Sequence, residues 1–568
     1  MKTLTIACIF GLSSIGLSQQ STLQAILKEK AAAYVHAASA TGRASSSAVY
    51  ASFARMVASD LKENNPQLAE RIIRATNDPM SVEIPVDAFA WITHAYALAF
   101  YKDEIIRNTS ALIKFKTYAT DVPNRMNPEF IKQREFLLDL ATRLGLQYND
   151  VGGYVQEIWI GDGIETLGLM SHSDVQPVQV SEWNHDPWSG EVSEGKIWGR
   201  GAIDDKGPIV AIMYGMRAIL DSKLPIKKKI ILLIGTDEES ANEDVTTYLK
   251  SNPAPDRTLV VDSNYPVICA EKGWCGSWME FPRVTPNAEA RGLLIVDLHA
   301  GFSPSIVPAL ATATIVSQGV DVTKSVAVLK QNADSFDANR KGADIDVEMR
   351  RDTIVVRAKG KSVHSSAPQS GHNALVDLLM FLDRDVQIIE NEFSHVARFA
   401  SHYIGFDFDG RGLGISHHDD FMGDVTVAVD MAGRTDSSAT LMFNFRIPKG
   451  VELDAIEDSL ATRYRQFDKD NSTATKHTHY LSEPLFNDPS SAFVTKLLTV
   501  YNEVTGENRH AQSIGGGTYA KRIPNAVVFG PAMPDEEYTG HQPNEFLSIS
   551  TLERNIEILI HTMVLLGL

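Results

Sequence analysis

Cysteine is scarce in this chain, which contains 3 cysteines among 568 residues. So few cysteines exclude a disulfide framework, and the stability of the fold must come from buried apolar side chains. Cys269 and Cys275 flank the segment AEKGW, which is typical of a hairpin turn centred on Lys272 and Gly273. Counting outward from this turn pairs the two cysteines across the hairpin. Two alternatives stay open for them: one disulfide in an oxidising compartment, or two small buried hydrophobic side chains.

Long apolar runs and positive charge are also in short supply. Beyond the N-terminal segment, no stretch approaches the roughly 18 uninterrupted apolar residues of a membrane helix, so no stable membrane insertion is expected. The 53 lysines and arginines face 71 aspartates and glutamates, which gives a formal net charge of −18. Because such a surface repels phosphate backbones, nucleic acid is excluded as a partner, whereas a metal ion would meet a favourable field.

The N-terminal segment MKTLTIACIFGLSSIGLSQQ has the pattern of a secretory signal peptide. Lys2 forms a short positive region, residues 4–17 are apolar or small, and the sequence GLS at residues 16–18 matches a small-x-small cleavage site. We therefore predict a signal peptide over residues 1–18 and a periplasmic or secreted protein. The alternative is a disordered start followed by a buried first helix.

Apolar periodicity divides the remaining chain into four segments. Residues 19–104 have Ala-rich patterns of period 3.6 and are expected to form a helical N-terminal extension. Strand-like and helical patterns alternate over residues 105–283 and return over residues 481–568, which indicates an α/β catalytic domain with a central, mostly parallel sheet. The β-rich stretch between them, residues 284–480, is interpreted as an inserted α+β lid domain.

Acidic residues and histidines stand where apparent strands end. TLGLMSHSD offers His172 and Asp174, the run KKKIILLI is followed by GTDEES, and TLVVD ends with Asp262. Asp204 follows the Gly-rich turn of GRGAIDDKGP, and His541 lies in the loop YTGHQPNEF near the C-terminus. Each motif alone fits a helix cap, an Asx-turn or a surface histidine.

Together these motifs predict a metal centre. Acids or histidines follow four apparent strands in a row, and the carboxyl ends of parallel neighbours meet at one crevice. Clustered carboxylates raise one another's pKa and destabilise a fold unless cations neutralise them. Two histidines with several carboxylates suit a pair of divalent metal ions, with Zn2+ as the first choice and Co2+ or Mn2+ as alternatives.

Several motifs, in this order along the chain, resemble those of one enzyme family. SHSDVQP, GRGAIDDKGP, GTDEES, VDSNYPV with AEKG, VHSSAPQSGHNA and GHQPNEF are similar to the motifs of the di-zinc metallopeptidases of family twenty, the aminoacylase, carboxypeptidase and carnosinase group. DDKGP, GTDEES, the EKG turn and IGGGTYA resemble its Xaa-His dipeptidase, or carnosinase-like, branch. The resemblance covers about residues 105–568 and implies a zinc-peptidase-like catalytic domain with an inserted lid.

Transferred motif by motif, the resemblance implies two metal ions that share one carboxylate. Asp204 bridges both ions, and each ion is completed by one histidine and one further carboxylate. The implied pairs of ligands are His172 with Asp262 and His541 with Glu239.

Two further acids of these motifs are implied to act beside the metal ions. Asp174 accepts the second ring N–H of His172 and fixes its orientation. Glu238 stays off the metal as the general acid/base: it takes a proton from the water shared by the ions and passes it to the leaving amine. The three acids of GTDEES thereby receive three roles. Glu239 is a metal ligand, Glu238 is the free base, and Asp237 is a helix-start residue.

Residues of the lid and of a late Gly-rich loop are implied to hold the substrate. His364 in VHSSAP resembles the residue that offers a donor to the oxyanion, and Arg446 in FNFRIP resembles the clamp of the C-terminal carboxylate. The loop that offers backbone N–H groups to the same carboxylate contains Gly515, Gly516, Gly517 and Thr518. The alternatives are that His364 is a surface histidine on a hairpin, that Arg446 forms a surface salt bridge, and that the loop is a plain Gly-rich turn.

The function implied by the resemblance is that of a dipeptidase, whose partner is a small peptide substrate, and the predicted signal peptide makes it an exported one. The alternative is an aminoacylase, a carboxypeptidase or an aminopeptidase that uses the same di-zinc site. The insert of about 200 residues resembles the enlarged lid of monomeric dipeptidases, so a monomer is favoured over a dimer.

Overall fold

The computed structural model describes residues 17–40, 47–78 and 85–568. Residues 1–16 of the predicted signal peptide therefore lie outside the described residues, and the first described helix begins at Leu17. Among the helices in the described part, none combines the length and the apolar content that crossing a bilayer requires. The described helices are α1 Leu17–Ala40, α2 Ser47–Leu61, α3 Pro66–Asn77, α4 Val86–Ile113, α5 Pro128–Leu144, α6 Gly207–Ser222, α7 Glu243–Tyr248, α8 Val322–Asn339, α9 Ala374–Arg384, α10 Glu392–Tyr403, α11 Leu453–Asn471, α12 Ala492–Thr505 and α13 Ile549–Gly567.

Strands lie between α5 and α13 in the chain, and several of them are only two or three residues long. They are β1 Gln147–Val151, β2 Val155–Ile160, β3 Thr166–His172, β4 Glu191–Ser193, β5 Lys196–Trp198, β6 Lys229–Gly235, β7 Arg257–Val260, β8 Ser263–Asn264, β9 Ile268–Glu271, β10 Gly273–Pro282, β11 Gly292–Ala300, β12 Leu310–Gln318, β13 Asp344–Arg350, β14 Thr353–Lys359, β15 His418–Asp419, β16 Gly423–Asp424, β17 Thr426–Arg434, β18 Ser438–Ile447, β19 Lys476–Tyr480, β20 Leu485–Phe486, β21 Gln512–Ile514, β22 Ala526–Val528, β23 Pro531–Ala532 and β24 Phe546–Ser548.

The first of two units contains the central sheet. This unit comprises the described residues up to Cys269 together with Asn487–Gln512 and Thr518–Leu568. Within it the strand order is β1-β2-β6-β3-β7-β22-β9. The middle strands β6, β3, β7 and β22 are parallel, whereas β1, β2 and β9 are antiparallel to their neighbours. The predicted α/β fold is confirmed, with a mixed sheet whose parallel middle brings the carboxyl ends of β6, β3 and β7 to one edge.

Local sequence explains how these elements begin and end. The side chain of Asn127 accepts a hydrogen bond from the backbone N–H of Glu129 and caps α5, which starts with Pro128. Gly145, with φ of 69°, ends the same helix in the left-handed conformation. In the middle of the sheet, β6 reads KIILLIG and is buried on both faces, as expected for a central parallel strand.

The helices of the expected N-terminal extension pack against helices from later in the chain. α4 lies against α6 and α13. Tyr96 and Tyr101 of α4 both donate to the buried carboxylate of Asp221 in α6, the Tyr96 hydroxyl over 3.1 Å. Arg217 donates to the other oxygen of Asp221 over 2.6 Å. Because a buried carboxylate is stable only when its oxygens are paired, these contacts fix α4 to α6.

The second unit comprises Ala270–Phe486 and Ser513–Gly517. It contains residues 284–480, the segment interpreted from the sequence as the lid. Its main sheet has the order β13-β14-β12-β11-β17-β18-β10-β19, and every neighbouring pair is antiparallel. α9 packs on β12 and β14, and α10 packs on β18. Their apolar side chains, among them Phe381, Phe399 and Phe443, form the core of this unit.

The segment around Cys269 and Cys275 corrects the hairpin prediction. β9 pairs with β22 in the sheet of the first unit, whereas β10 lies between β18 and β19 in the sheet of the second. The turn at Lys272 therefore leads from one sheet to the other instead of closing a hairpin. The sequence did not reveal this, because a short turn between two strand-like runs is equally compatible with a change of sheet. Both cysteines are buried and neither forms a disulfide with a described residue, which favours the alternative of two small hydrophobic side chains.

Candidate active site

Three candidate metal ligands stand at the carboxyl ends of neighbouring parallel strands. His172 is the last residue of β3, and Asp262 follows shortly after the end of β7. Glu239 lies in the loop that follows β6. Because β6, β3 and β7 are adjacent and parallel, their ends bring these side chains to the same edge of the sheet, as expected from the sequence.

Asp204 reaches the same place by a different route. It lies in the turn Ala202–Lys206 between β5 and α6, and β5 belongs to a small sheet with β4 and β24. The expectation that all four acid-bearing strands are parallel neighbours is therefore wrong, because a short strand outside the central sheet precedes this turn. Glu545 holds the turn: its carboxylate accepts hydrogen bonds from Ile203 N at 3.2 Å, Asp204 N at 3.3 Å and Arg200 Nη1 at 2.7 Å.

His172, Asp204 and Asp262 form the first group of candidate ligands. His172 Nε2 lies 3.0 Å from Asp204 Oδ1 and 3.4 Å from Asp262 Oδ1. The three side chains are 0, 5 and 8% exposed, so that water contributes little to their solvation. Charges buried in this way need ionic or metal partners.

Asp204, Glu239 and His541 form the second group. His541 Nε2 lies 3.1 Å from Asp204 Oδ2 and 2.9 Å from Glu239 Oε1. Gln176 Nε2 donates to Glu239 Oε2 over 2.9 Å, and the Tyr538 hydroxyl donates to Asp204 Oδ2 over 2.8 Å. Asp204 thus turns one oxygen toward each histidine, which suits a carboxylate shared between two cations.

Asp174 connects the ends of β3 and β6. Its Oδ1 lies 3.5 Å from His172 Nδ1, and its backbone oxygen lies 3.0 Å from the same nitrogen. Its carboxylate also accepts hydrogen bonds from the backbone N–H of Glu238 at 3.2 Å and of Glu239 at 2.9 Å. Because His172 Nδ1 faces acceptors, Nε2 is left to act as a ligand.

The two groups carry a surplus of negative charge. Burial alone would lower the pKa of His172, but the carboxylates of Asp262, Asp174 and Asp204 outweigh it and raise the pKa well above its usual value. Burial raises the pKa of Asp262 to about 6, against the opposing effect of His172 and with the help of Asp204 and Glu239. Both shifts have the direction expected of a site that favours bound positive charge.

The donor sets fit divalent cations. In each group one imidazole nitrogen and two carboxylate oxygens lie within 4.8 Å of one another. Zinc, cobalt and manganese all accept imidazole and carboxylate ligands, and three protein ligands leave a position for water or substrate. Each group is therefore suited to hold one cation, with Asp204 common to both.

Glu238 belongs to neither group. Its backbone N–H donates to Asp174, and its backbone oxygen accepts from Asn242 Nδ2 over 3.1 Å, so the residue is held from both sides. Burial, followed by the charge of Asp262, raises the pKa of its carboxyl well above the usual value. A carboxyl group that stands beside the ligand groups without joining them is placed to exchange protons.

The loop after β6 is packed closely against Tyr519. Asp244 accepts hydrogen bonds from the backbone N–H of Thr236 at 2.6 Å and of Asp237 at 3.0 Å, and from the Tyr519 hydroxyl. Gly235 lies beneath these groups, where a Cβ atom would come within 2.1 Å of Tyr519 Oη and 2.6 Å of Asp244 Oδ2. Only glycine leaves room for this contact.

We expect Gly235→Ala to lower the free energy of unfolding by about 1–3 kcal/mol, because the added methyl group must displace Tyr519 or Asp244. Urea unfolding monitored by circular dichroism measures the change. Gly433→Ala is the matched control, since this strand glycine has Thr440 Oγ1 at 3.6 Å as its nearest neighbour. Equal unfolding midpoints for the two variants would contradict the packing argument.

His364, the expected oxyanion donor, lies in the second unit. Its segment forms a bridge with Ile306, and the backbone N–H of Ser365 donates to Ser305 O over 2.9 Å. The backbone N–H of Ser366 donates to His364 Nδ1 over 3.2 Å. Because Nδ1 accepts this bond, the hydrogen of the neutral ring is assigned to Nε2.

Arg446 and the Gly-rich loop lie together in the second unit, apart from the last loop residue. Arg446 Nη1 donates to Gly515 O over 3.0 Å. The arginine is 3% exposed, so it is a buried residue, and its Nε has no hydrogen-bond partner among the described residues. Burial lowers its pKa to about 10, and the side chain stays cationic at neutral pH.

The rest of the Gly-rich loop is divided between the units. Gly516 and Gly517 follow Gly515 in the second unit, whereas Thr518 belongs to the first unit, where its Oγ1 accepts from Ala520 N over 3.1 Å.

Asp430 connects the His364 segment with β18. This buried carboxylate accepts hydrogen bonds from Ser365 Oγ over 2.6 Å and from Asn444 Nδ2. Asn444 lies two positions before Arg446, on the same face of the strand. One carboxylate thus supports the neighbours of both residues that are expected to hold the substrate.

The sequence motifs do not single out the side chains that support these groups. Tyr538 and Glu545 flank His541 in the stretch YTGHQPNEF, and this proximity is the signal that could have revealed them. Gln176 lies inside the motif SHSDVQP, where only His172 and Asp174 were given roles, and Asp430 lies in an ordinary strand pattern. Their contacts join residues up to 345 positions apart, which local patterns do not encode.

Two histidine–carboxylate groups at one edge of an α/β sheet have the donor set that is typical of a metal-dependent hydrolase. The sequence profile of Peptidase family M20/M25/M40 matches residues 168–564. The chain belongs to this family and is a metallopeptidase. The resemblance drawn from the motifs is thereby confirmed.

Named relatives agree with the dipeptidase branch. A Beta-Ala-Xaa dipeptidase from Lactobacillus delbrueckii subsp. lactis is 32% identical over 429 residues, which cover 74% of this chain and 86% of the relative. A protein of Staphylococcus aureus (strain USA300), named as a candidate dipeptidase, is 29% identical over 455 residues, or 79% of this chain and 94% of its own. In fold, human carnosine dipeptidase 1 matches with a TM-score of 0.50 at 14% identity, over 84% of this chain and 98% of that chain.

Proposed function

We propose that this metallopeptidase is an exported dipeptidase that hydrolyses the peptide bond of dipeptides with two divalent cations and Glu238 as general acid/base. One observation carries the proposal: Asp204 turns an oxygen toward each of His172 and His541, while Glu238 stands outside both groups. The names of the relatives support dipeptides as the substrate class.

The two groups of ligands would each hold one cation. His172 and Asp262 complete one site and His541 and Glu239 the other, with Asp204 in common. We propose zinc as the ion, with cobalt or manganese as alternatives, because imidazole and carboxylate ligands suit all three. When bound, such ions lower the pKa of water and polarise the scissile carbonyl.

Glu238 moves the proton in this proposal. Its carboxylate takes a proton from the attacking water and delivers it to the nitrogen of the leaving amine, so that the same group acts first as base and then as acid. The raised pKa of its carboxyl, caused first by burial, supports this role, since a higher pKa makes the carboxylate a stronger base. Asp174 acts as a positioning residue for His172 and for the backbone of Glu238.

Residues of the second unit would bind the substrate. The Nε2–H of His364 is a donor for the oxyanion that forms as the carbonyl carbon is attacked. The buried guanidinium of Arg446, with its unpaired Nε, suits the C-terminal carboxylate of the dipeptide. The backbone of Gly515, Gly516 and Gly517 adjoins this arginine and offers N–H groups to the same carboxylate.

Location and assembly are part of the proposal. The pattern of residues 1–18 supports export to the periplasm or the medium. The length of the inserted segment supports a monomer, for which sedimentation of the purified protein is the direct measurement.

A panel of substrates tests the function. We expect chelator-treated protein to be inactive, and expect Zn2+, Mn2+ or Co2+ to restore hydrolysis of dipeptides with β-alanine or an α-amino acid at the N-terminus. Tripeptides and N-acyl amino acids are the comparison arms. Faster turnover of tripeptides would favour an aminopeptidase, and faster turnover of N-acyl amino acids an aminoacylase or carboxypeptidase. Inactivity toward all three classes with every metal would refute the proposal.

A further inference from the structure

The first unit contains a cavity that the metal-binding groups do not use. Its volume is about 560 Å³, and it is bounded by α1, α4, α13 and the end of α12. None of its lining residues belongs to the two ligand groups. Helices α1 and α4 lie outside residues 168–564, which the family profile matches. A cavity of this size accommodates a small organic molecule.

The cavity offers a carboxylate oxygen. Glu557 lines the cavity with its side chain 14% exposed, and its Oε2 accepts from Arg554 Nη1 over 2.6 Å. No hydrogen bond from a described residue reaches its Oε1, and the nearest histidine nitrogen, His94 Nε2, is 3.8 Å away. Burial raises the pKa of Glu557 to about 7, so a cation that pairs with Oε1 would favour its ionised form. Burial also lowers the pKa of His94 to about 3, so the histidine supplies no positive charge. A ligand ammonium group would fill this place.

The cavity also offers a cation. Lys28 of α1 lines it, and no described residue forms an ion pair with this lysine. The second lysine of the lining, Lys102, is already paired with Glu553. Lys28 is therefore the ammonium group available to an anionic part of a ligand.

Apolar side chains complete the lining. Trp91 and Leu98 contribute from α4, Leu27 from α1 and Val504 from the end of α12. Trp91 is 4% exposed and is held in place by an edge-to-face contact with His561 at 4.3 Å between ring centres. An apolar wall with a carboxylate and an ammonium group available beside it has the chemistry to bind a zwitterion that carries an apolar side chain.

We propose that this cavity binds a free amino acid with a large apolar side chain. The ammonium group of the ligand pairs with Glu557 Oε1, its carboxylate with Lys28, and its side chain packs on Trp91 and Leu98. Binding itself does not require hydrolysis at the metal centre. The source of the ligand rests on the proposed function, since a dipeptidase releases free amino acids. The cavity would then hold a product of the reaction away from the site that forms it.

Equilibrium dialysis with radiolabelled leucine tests the site on the whole chain loaded with zinc. Ala95 lines the cavity from α4, so Ala95→Trp is expected to fill it and to abolish one bound leucine per chain. Ala111→Trp is the matched control, because Ala111 is a similarly half-buried residue of the same helix outside the lining. Equal leucine counts for the wild type and Ala95→Trp, or an equal loss in Ala111→Trp, would overturn the proposal.

Changes in single groups test the zwitterion. Glu557→Gln is expected to weaken leucine binding about tenfold, because it removes the charge that pairs with the ammonium group. Leucinamide lacks the carboxylate and N-acetylleucine lacks the ammonium group, so neither should displace leucine from the cavity at equal concentration. Unchanged affinity in Glu557→Gln would overturn the proposal, and this variant also decides the matter if Ala95→Trp does not fold.

The leucine site and the proposed function fail separately. If the protein hydrolyses no dipeptide, the loss of one leucine in Ala95→Trp still supports the cavity site. If dipeptides are hydrolysed but the wild type and Ala95→Trp bind leucine equally, the cavity proposal fails and the dipeptidase stands.

Discussion

Replacing Glu238 with glutamine is expected to lower kcat for dipeptide hydrolysis by about 10²–10⁴-fold, the range that a general acid/base contributes. The amide keeps the shape of the side chain but cannot accept the proton of the attacking water. Because Glu238 belongs to neither ligand group, the metal content of the variant should equal that of the wild type. Steady-state kinetics and elemental analysis of the same preparation measure both quantities.

The neighbouring glutamate is the control for this experiment. Glu239 Oε1 lies 2.9 Å from His541 Nε2, so Glu239→Gln removes a charged ligand and should lower the metal content as well as the rate. The two substitutions are chemically identical and adjacent in the chain. If Glu238→Gln hydrolysed dipeptides at the wild-type rate, another group would have to be the base.

Replacing Asp204 with asparagine is expected to cause the largest loss of metal. Its two oxygens face different histidines, at 3.0 Å from His172 Nε2 and 3.1 Å from His541 Nε2, so one substitution weakens both groups. Neutral amides are poorer ligands than carboxylates for zinc, and we expect binding of both ions to fall and kcat/KM to drop by at least about 10³-fold. Titration of metal-free protein with zinc, followed by calorimetry, measures the number of ions bound.

Asp205→Asn provides the comparison within the same Asp-Asp pair. Asp205 accepts hydrogen bonds from the Ser171 hydroxyl and from His172 N, the latter over 3.3 Å, and it belongs to neither ligand group. An asparagine oxygen can accept the same bonds, so this variant should still bind the metal. Equal metal loss in Asp204→Asn and Asp205→Asn would show that the turn, rather than the shared carboxylate, governs binding.

The positions of the strand-end residues could be predicted because they follow from local pattern. An apolar run followed directly by polar side chains marks the end of a buried strand, as at His172 and Asp262. Parallel neighbours bring such ends together, and the structure places both residues beside Asp204. The sequence could not show that Asp204 comes from outside the central sheet, since a Gly-rich turn looks the same after any strand.

The segment around Cys269 shows a different limit. Two strand-like runs with a short turn have the same sequence pattern whether they pair with each other or enter different sheets. Which of these occurs depends on the remote partners β22 and β18, whose identity is decided by tertiary packing. The same reason hides Tyr538 and Asp430, because each is recognised as part of the site only through the residue that it touches.

The contact of Lys206 with the end of the N-terminal helices limits how far the enzyme can be shortened. This lysine is fully buried, two residues after Asp204, and its Nζ donates to the backbone oxygen of Phe115 over 2.6 Å. A truncated fragment that began at residue 168, where the family profile starts, would lack the acceptor of this buried amine, whose pKa burial lowers to about 7. Since a buried donor without a partner costs about 1–3 kcal/mol, a large part of the stability of a domain, we expect a fragment that retains α4 and Phe115 to be more stable than one that lacks them.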